Sequence, residues 1–135
     1  MLSQIDSTAK LGRPMAKKLN KDREDRIDME IVVDAYGPEE RAMSWHCFLE
    51  NNLTPFTATC TKERSISPVL KGDDVEVTGM ADSDECQHEM FVMIRHEGKR
   101  ALAVPLAQLK PTDANAATKQ AIEDWLYWVQ MGYEF

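Results

Sequence analysis

The stretch "DSDECQHE", residues 82–89, holds four carboxylates, a cysteine and a histidine in eight positions. It lies between two apolar runs, which predicts a connection between two strands. Like charges this close repel, and either solvent or a cation must offset the repulsion. Asp82, Asp84, Glu85 and Glu89 provide hard oxygen donors, which Ca²⁺ prefers, and Ca²⁺ tolerates irregular geometry. The stretch is a candidate calcium site, with a solvated acidic turn as the alternative.

This stretch does not follow the pattern of an EF-hand loop. Counted from Asp82, the sixth position is Gln87, where the sharp turn of an EF-hand requires glycine. The twelfth position is Met93, where an EF-hand requires a bidentate glutamate. A calcium site built on this stretch therefore needs ligands from elsewhere in the chain.

A second acidic segment surrounds Gly37-Pro38, where the sequence predicts a break between two helices. Asp34, Glu39 and Glu40 flank this break. A break exposes backbone carbonyls beside the carboxylates, and calcium sites use both kinds of oxygen. A run of charge is more often a solvated surface than a site, so that alternative stays open here. It also applies to the acidic pairs Asp73-Asp74 and Glu123-Asp124.

Cysteine and histidine offer two weaker alternatives. Cys86 and His88 could begin a zinc site completed by His46, Cys47 or Cys60, but the spacings match no CxxC or HxxxH pattern. Cys47 beside His46 suggests a nucleophile and its base, yet neighbours on a helix point about 100° apart. The hydrolase and nucleotide signatures GxSxG, P-loop and GxGxxG do not occur either. The sequence therefore does not predict an enzyme.

Length and composition restrict the class of protein. At 135 residues the chain is expected to form one domain with a real core. Its net charge of −7 and pI near 4.9 argue against a nucleic-acid partner, because phosphate binding needs clustered Lys and Arg. No apolar run approaches the roughly 20 residues of a membrane span, and no secretory signal pattern occurs. Three cysteines at unpatterned spacing are typical of a reduced, cytoplasmic protein.

Hydrophobic spacing predicts helices at both ends of the domain, in residues 21–35, 38–52 and 114–131. Pro38 suits the first turn of the second helix, and Gly132 suits the end of the third. Residues 1–20 are polar and basic and are predicted to be a flexible tail, so that residues 21–135 form a single domain. The faces expected to enter the core are Ile27 and Ile31; Ala42, Trp45 and Leu49; and Ile122, Trp125 and Val129.

The middle of the chain predicts short strands. Residues 55–63 and 75–79 are rich in β-formers or alternate, and "MFVMI" (90–94) and "ALAV" (101–104) flank the turn "HEGK" as a hairpin. A short turn, "LAQL" (106–109), follows. Several short strands joined this way indicate a small, strongly bent antiparallel sheet or a barrel.

Four segments, in sequence order, resemble a family of small bacterial calcium-binding proteins known from filamentous cyanobacteria, where a member is linked to heterocyst differentiation. The resemblance covers residues 22–135. The segments are "MEIVVDAYGPEERAMSWHCFLENNL", "GMADSDECQHEMFVMI", "LAVPLAQLKP" and "AIEDWLYWVQMGYEF".

The resemblance implies an α+β fold: a small SH3-like antiparallel β-barrel flanked by N-terminal helices and a C-terminal helix. "VPLAQLKP" is similar to the end of such barrels, where a 3₁₀ turn precedes the last strand. It also implies a non-enzymatic, cytoplasmic protein that binds Ca²⁺ through carboxylates unrelated to EF-hands. Near Asn51 the chain lacks an acid expected of the family, which leaves Glu50 as a candidate there. The metal role is carried onto Asp34, Glu40, Asp82, Asp84, Glu85 and Glu89.

Two functions follow from this reading. The first is a calcium buffer or low-affinity sensor in which a divalent ion relieves the repulsion between clustered carboxylates. The second is an SH3-like interaction module whose acidic face binds a basic protein partner of unknown identity. No nucleic-acid or membrane partner is expected.

Overall fold

The computed structural model describes residues 19–95 and 101–135. The predicted turn "HEGK" and nearly all of the predicted tail lie outside these residues. The helices are α1 (Lys21–Arg26), a π-helical turn (Ile27–Ile31), α2 (Pro38–Asn52) and α3 (Ala116–Gln130). The strands are β1 (Phe56–Cys60), β2 (Asp74–Met80), β3 (Phe91–Arg95), β4 (Leu102–Pro105) and β5 (Leu109–Asp113). Two 3₁₀ turns, Ser83–Cys86 and Leu106–Gln108, precede β3 and β5.

The five strands form one antiparallel sheet in the order β4-β3-β2-β1-β5. The predicted α+β class is confirmed, as is the 3₁₀ turn before the last strand. The predicted SH3-like barrel is not confirmed: the described sheet does not close, because β4 and β5 lie at its opposite edges and are not hydrogen-bonded neighbours. Both edge strands are short and carry a proline, Pro105 in β4 and Pro111 in β5. Proline cannot donate a ladder hydrogen bond, which disfavours pairing along these edges.

Helices α2 and α3 pack together around an aromatic cluster. Trp45 is fully buried, with its ring centroid 5.1 Å from that of Trp125 and 5.6 Å from that of Trp128. Ile27 and Ile31 of the π-helical turn are buried in the same core. The three tryptophans are thus core residues, as the helical spacing predicted. The sheet adds buried residues from alternate strand positions, among them Phe56, Ala58, Val75, Val77, Val92 and Ile94.

The helix ends follow local sequence signals. The side chain of Asn115 accepts a hydrogen bond from the Thr118 N–H at 2.8 Å and caps α3. After α3, Gly132 has a φ of 79°, a conformation that favours glycine. Pro38 opens α2 in the position where its missing N–H leaves no bond unmade. No helix among the described residues is long and apolar enough to cross a membrane.

A buried ion pair fastens α1 to α3. The carboxylate of Asp124 is fully buried and accepts hydrogen bonds from Arg23 at 2.9 Å and from Arg26 at 2.7 and 2.8 Å. The hydrogen bond to Asp124 raises the pKa of the Arg26 guanidinium. Asp124 is therefore a structural anchor and not part of a solvated acidic face.

Candidate functional site

The sequence 82–89 forms the acidic turn, a 3₁₀ turn with the loop that leads into β3. The Glu85 N–H donates to the Asp82 carbonyl at 2.9 Å, and Asp82, Asp84 and Glu85 all point into exposed positions. Cys86 fixes the turn to the start of β3, because its buried sulfur accepts a hydrogen bond from the Phe91 N–H at 3.3 Å. The turn thus holds three carboxylates at the surface over one buried residue.

The zinc alternative does not fit this geometry. Burial raises the pKa of the Cys86 thiol, which favours the protonated form, whereas zinc binds the thiolate. Its sulfur is engaged with the backbone of Phe91, while His88 is exposed. His46 is buried and Cys47 is exposed, so these neighbours lie on different faces of α2 as the helical spacing predicted.

A buried histidine links the acidic turn to α2. His46 Nε2 lies 2.8 Å from the carbonyl oxygen of Ala81, the residue just before Asp82. The Ala81 N–H donates in turn to the Phe91 carbonyl at 3.0 Å. The start of the turn is therefore fixed both to the helix and to β3, while the carboxylates of Asp82, Asp84 and Glu85 remain exposed.

Glu89 differs from the other acids of this turn. Its carboxylate is only partly exposed and forms an ion pair with the guanidinium of Arg64, which lies in the loop after β1. The hydrogen bond from Arg64 to Glu89 raises the pKa of Arg64. A cation that binds Glu89 must therefore compete with this arginine.

At the break before α2, the carboxylates of Asp34 and Glu40 both form hydrogen bonds with Tyr36. The hydroxyl of Tyr36 lies 3.2 Å from Asp34 Oδ1, and the Tyr36 N–H donates to Glu40 Oε1 at 2.9 Å. Asp34 has a φ of 61°, a left-handed conformation that aspartate tolerates better than most residues. Both carboxylates are exposed on this turn.

A groove of about 830 Å³ lies between the start of α2, the acidic turn and the C-terminal segment. Its rim carries four carboxylates, those of Glu39, Asp84, Glu89 and Glu134. We call this groove the acidic groove. Its floor is apolar. The floor includes Ala42, Met43, Trp125, Trp128, Val129 and Phe135.

The acidic groove contains two of the six predicted ligands, Asp84 and Glu89. Asp34, Glu40, Asp82 and Glu85 do not line it. No three Asp, Glu, His or Cys side chains within residues 19–95 and 101–135 are close enough to form a preassembled metal site. The predicted carboxylates are thus spread over two neighbouring surfaces, and their metal role stays a prediction.

Sequence reasoning missed two carboxylates of the groove. Glu39 flanks the predicted helix break, yet the family resemblance carries the metal role onto Glu40. Glu134 gave no local signal, because only the fold brings the C-terminal segment to the acidic turn. That segment is held in place by Arg41, whose Nε donates to the main-chain oxygen of Phe135 at 3.1 Å.

A model of a protein family described as calcium binding, of the CcbP type, matches residues 25–129 of the chain. The chain belongs to this calcium-binding family. The resemblance inferred from the sequence is therefore confirmed, and Ca²⁺ is the ion associated with the CcbP-type family. The family is a calcium-binding family and not an enzyme family.

Solved structures support the same assignment. The crystal structure of Anabaena CcbP is 38% identical, has a TM-score of 0.78, and the match covers 87% of this chain and 97% of that chain. A calcium-binding protein in its calcium-binding form is 35% identical with a TM-score of 0.79, and the match covers 90% of this chain and 100% of that chain. The comparison with curated proteins gives no match.

Proposed function

We propose that this CcbP-type protein binds Ca²⁺ reversibly at the acidic groove and acts as a calcium buffer or low-affinity sensor. The observation that supports the proposal is that Glu39, Asp84 and Glu89 line one opening, although they do not form a preassembled site. Glu39 comes from α2, whereas Asp84 and Glu89 come from the acidic turn. These are the hard oxygen donors that suit Ca²⁺, which also accepts backbone carbonyls and water as ligands.

The proposed mechanism is relief of charge repulsion. Without the ion, the rim carboxylates repel one another and remain apart. A bound divalent cation would offset that repulsion and draw the start of α2 towards the acidic turn. Glu89 would have to exchange Arg64 for the ion, and this exchange lowers the apparent affinity. We therefore expect a dissociation constant on the order of micromolar or weaker.

The other predicted ligands have distinct proposed roles. Asp34 and Glu40 share Tyr36 and could hold a second ion together with carbonyls of the helix break. Asp82 and Glu85 are exposed on the acidic turn, where their charge raises the local concentration of cations. Glu50 is exposed near the end of α2 and does not line the acidic groove.

Calorimetric titration with Ca²⁺ tests the site. The variant Glu39→Gln/Asp84→Asn should bind Ca²⁺ about tenfold more weakly than the wild type, because two charged ligands are lost. Glu76→Gln/Asp113→Asn is the matched control, since it makes the same charge change at exposed positions of the sheet. Equal losses in both variants would show a general charge effect and not a site. Unchanged binding in Asp82→Asn/Asp84→Asn would exclude the acidic turn.

A second candidate function is the binding of a basic protein partner at the same face. The apolar floor of the acidic groove favours this candidate, because a bare ion does not need aromatic surface. An unchanged melting temperature in Ca²⁺, together with saturable binding of a basic peptide, would favour this function over calcium binding.

A further inference from the structure

We propose that the acidic groove is the docking site of the N-terminal basic segment of the same chain, residues 1–18. Docking would place basic side chains against the carboxylates of the groove rim. The segment would then compete with Ca²⁺, a consequence that rests on the proposed function, whereas docking itself does not.

The apolar floor of the acidic groove favours an occupant with apolar side chains. Met43 remains 50% exposed there, beside the rings of Trp125, Trp128 and Phe135. A metal ion provides no apolar surface to cover these side chains.

The charge of the N-terminal basic segment complements the groove. It contains four basic residues and one acidic residue, which gives it a net charge of +3. Because the whole chain has a net charge of −7, the remaining residues carry a net charge of −10. Apolar residues such as Leu11 and Met15 alternate with the basic ones. The basic residues are Lys10, Arg13, Lys17 and Lys18. A segment of this composition fits a groove with an apolar floor and an acidic rim.

The described chain begins beside the wall of this groove. The Asn20 N–H donates to the Tyr127 hydroxyl at 3.1 Å. That hydroxyl and the hydroxyl of Tyr133 both donate to Glu24, at 2.5 and 2.7 Å. Tyr133 itself lines the acidic groove. The described chain therefore begins near Tyr133, a residue that lines the proposed docking site.

The length of the segment is sufficient for docking at low intrinsic affinity. Eighteen extended residues span at most about 60 Å, far more than the width of the groove requires. A tether of this length gives an effective concentration in the range of about a millimolar. Contacts with only millimolar intrinsic affinity would then keep the segment docked for a substantial part of the time. At rising Ca²⁺ concentration, the ion would displace it.

Paramagnetic broadening in the full chain tests docking without calcium. A nitroxide is attached at Gly12→Cys in a Cys47→Ser background, since Cys60 and Cys86 are buried. In EDTA, the indole N–H resonances of Trp125 and Trp128 should broaden. Neutralising the segment with Lys10→Gln, Arg13→Gln, Lys17→Gln and Lys18→Gln should restore their intensity.

A charge-matched variant and a mixing experiment provide the controls. Lys62, Lys71, Lys110 and Lys119 are exposed and do not line the groove, so changing all four to Gln alters the net charge equally. This variant should keep the broadening. No broadening in the parent, or equal loss in both variants, would overturn docking. Broadening transferred from a nitroxide-bearing chain to an isotope-labelled chain without nitroxide would assign the segment to a second copy and overturn the intramolecular proposal.

Calorimetry with Ca²⁺ then tests the competition. The variant with the neutralised segment should bind Ca²⁺ about three- to tenfold more tightly than the variant with four lysines changed elsewhere. Equal affinities with the broadening intact would refute the competition but leave docking in place. Absence of calcium binding in every variant would refute the proposed function instead, so the two failures are distinguishable.

Discussion

At the scale of single residues, Glu24 holds two tyrosine hydroxyls at once. Tyr127 and Tyr133 donate to the same carboxylate oxygen at 2.5 and 2.7 Å. The hydrogen bond to Glu24 raises the pKa of Tyr133 to about 12, and burial adds to the effect. Burial, followed by the same carboxylate, also raises the pKa of Tyr127. These bonds join α1 to the segment that forms one wall of the acidic groove.

This arrangement predicts a loss of stability in strong alkali. The folded protein holds the Tyr133 proton more tightly than the unfolded chain, whose tyrosine has a pKa near 10. The stabilisation is therefore complete below about pH 10 and is lost as the pH rises through about 12. Urea unfolding at pH 8 to 12 should show the wild type more stable than Tyr133→Phe at pH 8. This advantage should disappear by pH 12, because the phenolate is repelled by Glu24.

The spectroscopic control uses the absorbance of tyrosinate. Tyr133→Phe should remove the titration step at about pH 12, whereas Tyr36→Phe, at an exposed position, should keep that step. A constant difference in the free energy of unfolding between the wild type and Tyr133→Phe across this pH range would contradict the assignment.

Residue types could be predicted from the sequence better than their partners. The excess of carboxylates in residues 82–89 was evident, and so was their suitability for Ca²⁺. The pairing of Glu89 with Arg64 could not be predicted, because the two residues lie 25 positions apart and no helical or strand periodicity relates them. The same holds for Asp124, whose arginine partners are 98 and 101 positions away. Only the fold brings such partners together.

At the scale of elements, α2 supports the acidic turn through His46. Because the imidazole and the Ala81 carbonyl meet in a buried position, loss of the ring leaves an acceptor without its donor. An unsatisfied buried polar group costs about 1–3 kcal/mol. The cost would appear at the base of the acidic turn, where the proposed ligand Asp84 is held.

His46→Ala should therefore lower the free energy of unfolding by about 2 kcal/mol or more, with loss of packing added to the lost hydrogen bond. Hydrogen exchange should accelerate at the Glu85 and Phe91 amides, and Ca²⁺ affinity should fall. Cys47→Ser is the control, because the neighbouring side chain is exposed. Equal exchange rates in both variants at these amides would show that His46 does not position the turn.

The elements themselves were largely predicted, but their closure was not. Helical spacing located α2 and α3, and alternation located the short strands, because both periods are local properties of the chain. Barrel closure depends on pairing between β4 and β5, which are edge strands with proline in each. The π-helical turn was also missed. Its bond from the Val32 N–H to the Ile27 carbonyl spans five residues, and an apolar pattern of this length does not distinguish it from α-helix.

At the scale of the whole molecule, the proposed calcium binding combines the overall acidic charge with the acidic groove. The net charge of −7 attracts cations of every kind and provides little selectivity. In the proposed function, selectivity comes from the carboxylates of the groove rim, because they are carried by separate segments and would adapt to a large ion. Mg²⁺ requires a near-ideal octahedron and dehydrates reluctantly, whereas Ca²⁺ accepts irregular sets of six to eight oxygens.

Thermal unfolding in different salts separates the general effect of the net charge from specific binding of Ca²⁺ at the acidic groove. If Ca²⁺ binds the folded protein with a dissociation constant near 100 μM, a concentration of 5 mM stabilises it by about 2 kcal/mol. For a domain of this size, that raises the melting temperature by roughly 5–10 °C. Mg²⁺ at 5 mM should give a clearly smaller rise, and NaCl of equal ionic strength should reproduce only the general screening of charge. Equal shifts with all three salts would mean that the acidic groove has no calcium site and that its carboxylates serve only the overall charge.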